Sequence, residues 1–369
     1  MGFTISFIID SFSTGGKERQ LFYLIKSLAF KHKLQIIILS KNALCDEIFD
    51  LPIKVCIYER TNRYSIKTII SLYQNLNKHK PQIIHSWANI GTILSLPYLI
   101  VHHKVKLVSS IRYAGKLKRT LKDKIIKTIT WFRSAAIVSN SIRGLEVENL
   151  LNHKKSTVIH NGLDLEIFDS DYKNTHAIFC PLDKFKLKIV MVGRFYLAKD
   201  YITFIKAAKI VSNSTKEICF VCVGDGPYKT EAEIEADNLL NNTIFFLGNR
   251  NDVNSLIKAM DIGILLNNIN GHAEGISNAI MEYMAAGLPV IATNAGGTPE
   301  LVQHHISGFL VPAFDEDIVA KKILYLLKNN DKATEMGVNG RQIIENKFDL
   351  NKMTESYLEL YLNICKLKR

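Results

Sequence analysis

Short apolar runs alternate with stretches whose apolar positions recur at helical spacing, and the alternation continues along the whole chain. Runs of the first kind read as buried strands and stretches of the second kind as helices, which favours α/β layers with parallel sheets. In the first half the predicted strands are TISFIID, LQIIILS, PQIIHSW, KLVSSIR and AAIVSN. In the second half they are KIVMVGR, ICFVCVG, TIFFLG, DIGILLN and PVIATN. Each set makes a sheet of about five strands, a size that suits one doubly wound domain. A polar, pattern-poor stretch lies between them, so the expected plan is a first domain over 1–170, a linker over 171–187 and a second domain over 188–349. The last segment, KFDLNKMTESYLELYLNI, carries Met353, Tyr357, Leu360 and Leu362 at helical spacing. It predicts a terminal helix, about 350–369, that packs back on the first domain.

Composition narrows the class. With 369 residues, 47% hydrophobic and 22% charged, the chain has the profile of a folded globular protein. No apolar run reaches the roughly 18–20 residues that span a bilayer, and MGFTISFIID reads as a first strand rather than a signal peptide. A cytoplasmic location is the expectation. The six cysteines show no disulfide-framework spacing, and Cys219 and Cys222 lie in an apolar run with no second pair to complete a metal site. Net charge is +12 and lies wholly in the first half, where residues 1–170 hold 25 Lys+Arg against 12 Asp+Glu. Such asymmetry suits an anionic surface: lipid, nucleic acid or a phosphorylated acceptor.

Open α/β sheets bind ligands beyond the carboxyl ends of their strands, so candidate chemistry belongs in the loops there. After DIGILLN comes a polar loop with Glu274, then a helix starting behind Ser277, a good N-cap residue. Glu282 falls more than a turn inside that helix. If its N-terminus opens on the ligand, the backbone of Gly275, Ile276 and Ser277 can cradle a diphosphate. Carboxylates suit the neutral hydroxyls of a ribose or hexose. Read alone, this segment fits an ordinary helix start better than a ligand site. KIVMVGRFYLAKDY adds Gly193, where backbone can approach closely, and the cations Arg194 and Lys199, which suit a diphosphate. TIFFLGNRNDV offers Gly248 and Val253 near a base.

Together these segments resemble the large retaining glycosyltransferase family 4, of GT-B architecture, over nearly the whole chain and most strongly from Lys188 to Pro312. The most specific element is E-x7-E, here Glu274 to Glu282, followed by AAGLPVIAT. VIHNGLDLEIF, MVGRFYLAKD, VGDGP, NAGGTPELV and Gly15-Gly16 match in the family's order. The resemblance implies two Rossmann-like domains facing a cleft and transfer of a sugar from a nucleoside diphosphate sugar, a uridine diphosphate sugar by preference. It implies a saccharide or lipid-linked saccharide acceptor, in bacterial surface polysaccharide synthesis. Arg194 and Lys199 would hold the diphosphate, Glu274 the sugar hydroxyls, Gly275 to Ser277 the phosphates and Glu282 the ribose. Gly248 and Val253 would lie near the base, and Gly15 and Gly16 would open the first helix toward donor phosphates or acceptor.

Retention without an evident nucleophile points to front-face substitution, with a donor phosphate oxygen helping to deprotonate the acceptor. No metal or other cofactor is expected. Asp169-Ser170-Asp171 and Asp315-Glu316-Asp317 spell D-x-D, the metal signature of a different glycosyltransferase fold, but read as solvated acids. Some relatives place a histidine where this chain reads SSIRYAGK; here Arg112 and His85 are the acceptor-side candidates. RYAGKLKRTLKDKIIKTITWFR, from Arg112 to Arg133, spaces Leu117, Leu121, Ile125, Ile129 and Phe132 helically among Lys116, Lys118, Arg119, Lys122, Lys124 and Lys127. Such a helix suits the anionic inner face of a membrane, unless its stripe packs on the domain's own sheet. A nucleic-acid-binding protein is the competing class, though no motif for it is present. A sugar-nucleotide epimerase or a phosphorylase of related architecture is the rival chemistry.

Overall fold

Strand and helix alternate from the first residues to the last, and every strand pairing is parallel. The computed structural model describes residues 2–13, 15–41, 45–59, 65–115, 120–169, 182–270 and 274–366. Contacts divide the chain into two units. Unit 1 comprises Met1–Tyr113, Leu117–Gly162 and Leu350–Arg369; unit 2 comprises Ala114–Lys116 and Leu163–Asp349.

Unit 1 contains β1 (Thr4–Ile9), β2 (Lys33–Ile38), β3 (Lys54–Ile57), β4 (Ile83–Ser86), β5 (Lys106–Ile111), β6 (Ala136–Ser139) and β7 (Ser156–Val158). They are ordered β3-β2-β1-β4-β5-β6-β7. Its strands are buried almost continuously, as expected of a parallel sheet covered on both faces. One face packs with α1 (Gly16–Leu28), the other with α2 (Ile66–His79) and α3 (Asn89–Val101). The chain reverses direction across the sheet between β1 and β4, the switch point where such sheets open a crevice.

The terminal helix α14 (Leu350–Cys365) belongs to this unit, where Met353, Tyr357 and Tyr361 are buried beside β1 and β4 residues. Its buried stripe is thus one residue every four, with Tyr361 inside and Leu360 and Leu362 only partly covered. The spacing expected from the sequence misplaced the end of that stripe because a tyrosine is both apolar and polar.

Unit 2 contains β8 (Leu187–Val192), β9 (Ile218–Val223), β10 (Ile244–Phe246), β11 (Ile262–Leu265), β12 (Val290–Thr293) and β13 (Gly308–Val311). Their order is β10-β9-β8-β11-β12-β13, with the switch point between β8 and β11. One core runs through the unit and includes Leu182 and Phe185. The expected linker is therefore shorter than 171–187 at its far end, because Leu182 and Phe185 are apolar enough to bury. Its remainder, to residue 181, lies outside the described residues.

Three strands exceed the expectation from sequence: β3, β7 and β13, all edge strands of three or four residues. Cys219 and Cys222 sit inside β9, fully buried, and burial pushes the Cys219 thiol up to about 12 and the Cys222 thiol higher still. They are packing residues.

Candidate functional site

In unit 2 the loops after β8 and β11 flank the switch point, and one ion pair joins them. Lys199 Nζ lies 2.8 Å from Glu274 Oε2 and donates to Asn267 Oδ1 at 3.2 Å. An ammonium has three N–H donors, so one remains for a ligand oxygen. The side chain of Lys199 is 9% exposed and that of Glu274 37%, so the pair sits at the rim of the sheet edge. The lysine stem lies against Gly193, where an added Cβ would approach Lys199 Cε to 3.3 Å.

Aromatic residues hold this loop from beneath. Phe195 stacks on Tyr201 at 3.7 Å, and the Tyr201 hydroxyl lies 2.7 Å from the Gly193 carbonyl. Phe195 N–H donates to Asp225 O in the next loop. That approach requires glycines at Gly224 and Gly226. Both adopt positive φ, and a Cβ at Gly224 would meet the Gly193 carbonyl at 2.1 Å. Gly224 in turn donates to Gly248 O after β10, and Gly297 after β12 donates to Glu274 O. Five strand-end loops, those after β8 to β12, are thereby knitted into one edge around Lys199 and Glu274.

The helix α10 (Asn278–Ala285) follows Glu274 as expected, and Ser277 occupies its N-cap position. The hydroxyl of Ser277 makes no capping bond, contrary to what the residue type suggests. Gly275, Ile276 and Ser277 are buried under the loop. Tyr283 fixes the helix: its ring lies over Gly263 of β11, and its hydroxyl accepts from Val192 N–H at 2.6 Å. Glu282, one residue earlier, is 3% exposed. It faces inward as a partnered, buried carboxylate rather than an open one.

Arg194 is exposed, rests over Tyr196 at 5.6 Å and has no carboxylate partner among the described residues. Val253 opens α9 (Val253–Lys258) directly behind Arg250, whose guanidinium binds Asp252 through two bonds of 2.7 and 2.6 Å. Of the acidic triplets, Asp315 caps α12 (Glu316–Lys328) by accepting from Ile318 N–H, and Asp169 binds Arg341. Asp171 lies outside the described residues.

The acceptor-side candidates lie in unit 1. Gly15 caps α1, and Gly16 begins it. His85 is fully buried in β4, with Nδ1 2.6 Å from the Tyr361 hydroxyl and Nε2 2.9 Å from Ser110 Oγ. Burial, with Arg112 adding to it, holds its pKa well below the usual imidazole value. His85 is therefore a neutral core residue that no acceptor can touch, which corrects its placement as a site candidate. Arg112 differs. Its guanidinium lies 3.6 Å above the Trp87 ring and donates through Nη2 to the Tyr357 hydroxyl. Trp87, Tyr201 and Asn267 were not singled out in the sequence, and Tyr357 only as an apolar position of the terminal helix; Trp87 could have been, because it directly follows a buried strand.

The charged helix α4 (Leu121–Arg133) also departs from expectation. Lys127 is not on a solvated face: it is buried and pairs with Glu148 at 2.6 Å, with the Tyr113 hydroxyl bound to both. The apolar stripe points outward instead, with Leu121 74% and Phe132 84% exposed, and Ile125 and Ile129 between them also exposed. Lys116 to Arg119 lie outside the described residues, as does the side chain of Lys122.

Comparison with known proteins agrees with this geometry. Residues 179–343 match the family described as glycosyl transferases group 1, and residues 14–167 match glycosyltransferase family 4. A UDP-Gal:alpha-D-GlcNAc-diphosphoundecaprenol alpha-1,3-galactosyltransferase of Escherichia coli is 28% identical over 81% of this chain and 80% of its own. The capsular polysaccharide biosynthesis glycosyltransferase CapM of Staphylococcus aureus is 26% identical over 82% of each chain. Among solved structures, Anabaena Alr3699/HepE in complex with UDP and glucose superposes with a TM-score of 0.84. It is 19% identical and covers 97% of this chain and 98% of its own. With two parallel-sheet Rossmann-like units and matches along most of its length, the chain belongs to glycosyltransferase family 4 and has the GT-B fold.

Proposed function

We propose that the chain transfers a hexose from a uridine diphosphate sugar to a saccharide or lipid-linked saccharide, with retention and without a metal. The observation that carries this reading is the Lys199–Glu274 pair at the unit 2 switch point, a cation and a hydroxyl acceptor held side by side. On donor binding, the remaining N–H of Lys199 and the exposed guanidinium of Arg194 neutralise the diphosphate, while Glu274 accepts from sugar hydroxyls. As the bond to the anomeric carbon breaks, charge gathers on the leaving phosphate beside these fixed cations. The leaving oxygen takes the acceptor proton as the acceptor oxygen attacks the same face, so no protein nucleophile is needed. The names of relatives support the donor and acceptor classes: the Escherichia coli enzyme uses UDP-galactose and a diphosphoundecaprenol-linked sugar.

Thermal-shift measurements with uridine, guanosine and adenosine diphosphate sugars test the donor. A true donor at a hundredfold excess over its Kd stabilises the fold by about 2.7 kcal/mol. Uridine diphosphate sugars should raise Tm, and absence of a shift with every nucleotide sugar at millimolar concentration would overturn the reading.

A lipid-linked acceptor fits the solvent-facing stripe of α4. Ile100 and Val101 at the end of α3 extend it, joined through Arg133, which donates to Leu99 O at 2.8 Å. Lys155 stands beside Phe132, donating to its carbonyl. Apolar side chains flanked by Lys124 and Lys155 suit the interface of an anionic bilayer, at the inner face of the cytoplasmic membrane. No helix among the described residues is long and apolar enough to cross it. The chain should co-sediment with phosphatidylglycerol vesicles, more so as anionic lipid increases. Phe132→Ser together with Leu121→Ser should release it, whereas binding that ignores both changes would refute a role for this face.

A further inference from the structure

Unit 1 has a cavity of its own, about 790 Å³, at the carboxyl edge of its sheet and on its switch point. Its charged lining consists of Asp10, Lys17, Lys41, Glu59 and Arg112. Two of the cations are spent on the two acids: Lys17 lies 2.5 Å from Asp10, and Lys41 lies 2.8 Å from Glu59. Arg112 has no acid. Its Nε and Nη1 are buried without a hydrogen-bond partner, and only Nη2 is engaged, with Tyr357 and Ser110. Beneath it the indole Nε1 of Trp87, itself 1% exposed, is also buried without an acceptor.

Among the described residues of the lining, every unmet group is a donor and the one charge without an opposite partner is positive. Leaving such donors dry costs free energy that an incoming acceptor atom would recover. The first turn of α3, from Ala88 to Ile90, also lines the cavity and brings the positive end of a thirteen-residue helix to it. A neutral sugar would satisfy some of these donors but not the charge. A guanidinium with unmet donors at Nε and Nη1 suits an anion, whose several oxygens can accept from each.

We propose that this cavity seats an oxyanion, a phosphoryl or carboxylate group carried by the acceptor, and that Arg112 binds it. The word acceptor rests on the transferase reading above; the anion site itself does not. Tyr357 is the positioning residue. It anchors Nη2 from the last helix of the chain and keeps the guanidinium flat on Trp87, so that rotation about the stem turns Nε and Nη1 toward the cavity.

Calorimetric titration of the full-length protein tests this with three probes: N-acetylglucosamine 1-phosphate, glucuronic acid and neutral N-acetylglucosamine. At least one anionic probe should bind more tightly than the neutral sugar, and which one does so separates a phosphoryl from a carboxylate source. Arg112→Gln should weaken that probe on the order of 10- to 100-fold and leave the neutral sugar unchanged. Tyr357→Phe, which keeps the ring packing, should weaken the same probe by a smaller factor with Tm preserved. Lys199→Ala should leave it unchanged.

A folded Arg112→Gln variant with wild-type affinity for both anions overturns the proposal. So does one that loses nucleotide-sugar affinity to the same degree, since the anion would then be the donor's. Arg112-dependent binding in a protein that binds no nucleotide sugar keeps the anion site and removes the transferase reading.

Discussion

Lys199→Ala is expected to lower kcat/KM by about 10²–10³-fold, the usual cost of deleting one preorganised electrostatic contact. The size of the effect follows from how tightly the ammonium is held. Its stem lies against Gly193, its head is shared between Glu274 and Asn267, and the loop beneath is clamped by Phe195 on Tyr201. A cation fixed before the donor arrives needs no reorganisation as charge develops. The fold should tolerate the change, because Glu274 is exposed enough to hydrate once its partner is gone. Lys199→Arg should restore little, since a branched guanidinium does not fit the space a slim stem occupies beside Gly193. Release of nucleoside diphosphate from the donor found by thermal shift provides the measurement, with Tm as the control for folding. Near-normal turnover in a folded alanine variant would sink the assignment.

The second large effect is on stability. Lys127→Ala should destabilise the protein by about 3–5 kcal/mol, because it takes an opposite charge away from a carboxylate that is out of reach of water. The side chain of Glu148 is 0% exposed, and Lys127 at 2.6 Å is its counter-charge. The Tyr113 hydroxyl contacts both, but a phenol cannot neutralise the carboxylate. Replacing both charges, as Lys127→Met with Glu148→Leu, should recover much of the loss, since removing a buried pair altogether is often close to neutral. Urea denaturation of the single and double variants reads this directly. A single variant within about 1 kcal/mol of wild type would show that Glu148 does not depend on Lys127.

The fold was legible wherever a strand was buried on both faces, because such strands are unbroken apolar runs. LQIIILS and ICFVCVG need no partner to be recognised. The edge strands β3, β7 and β13 escaped because they are only three or four residues long: SerThrVal of β7 has no pattern until β6 lies beside it. In the site, Lys199 and Glu274 could be named from their positions after strands, yet not their direct pairing, which depends on how closely two loops approach. Lys127 was misread for a physical reason. At helical spacing it belongs with the other lysines, and only a carboxylate brought from α5 (Ile142–Val147) and its following residue Glu148 makes burial tolerable. The outward stripe of α4 inverts the usual rule that the apolar side of a helix finds its own core, and sequence pattern alone left both orientations open. Trp87 and Tyr357 illustrate the limit most clearly. Their roles arise from an arginine held between β4 and a helix at the far end of the chain.

That last arrangement has a consequence for synthesis. Tyr357 and Tyr361 complete the interior of unit 1, but they leave the ribosome only after all of unit 2. At roughly 5–20 residues per second, the first sheet waits on the order of ten to forty seconds for them. Throughout that interval His85 lacks the Tyr361 hydroxyl and Arg112 that of Tyr357, and the apolar groove meant for α14 stands open. The nascent chain is thus most vulnerable to chaperone capture or aggregation in its oldest part. A ribosome that stops short of the last helix releases a protein whose defect lies at the opposite end of the sequence from the missing residues.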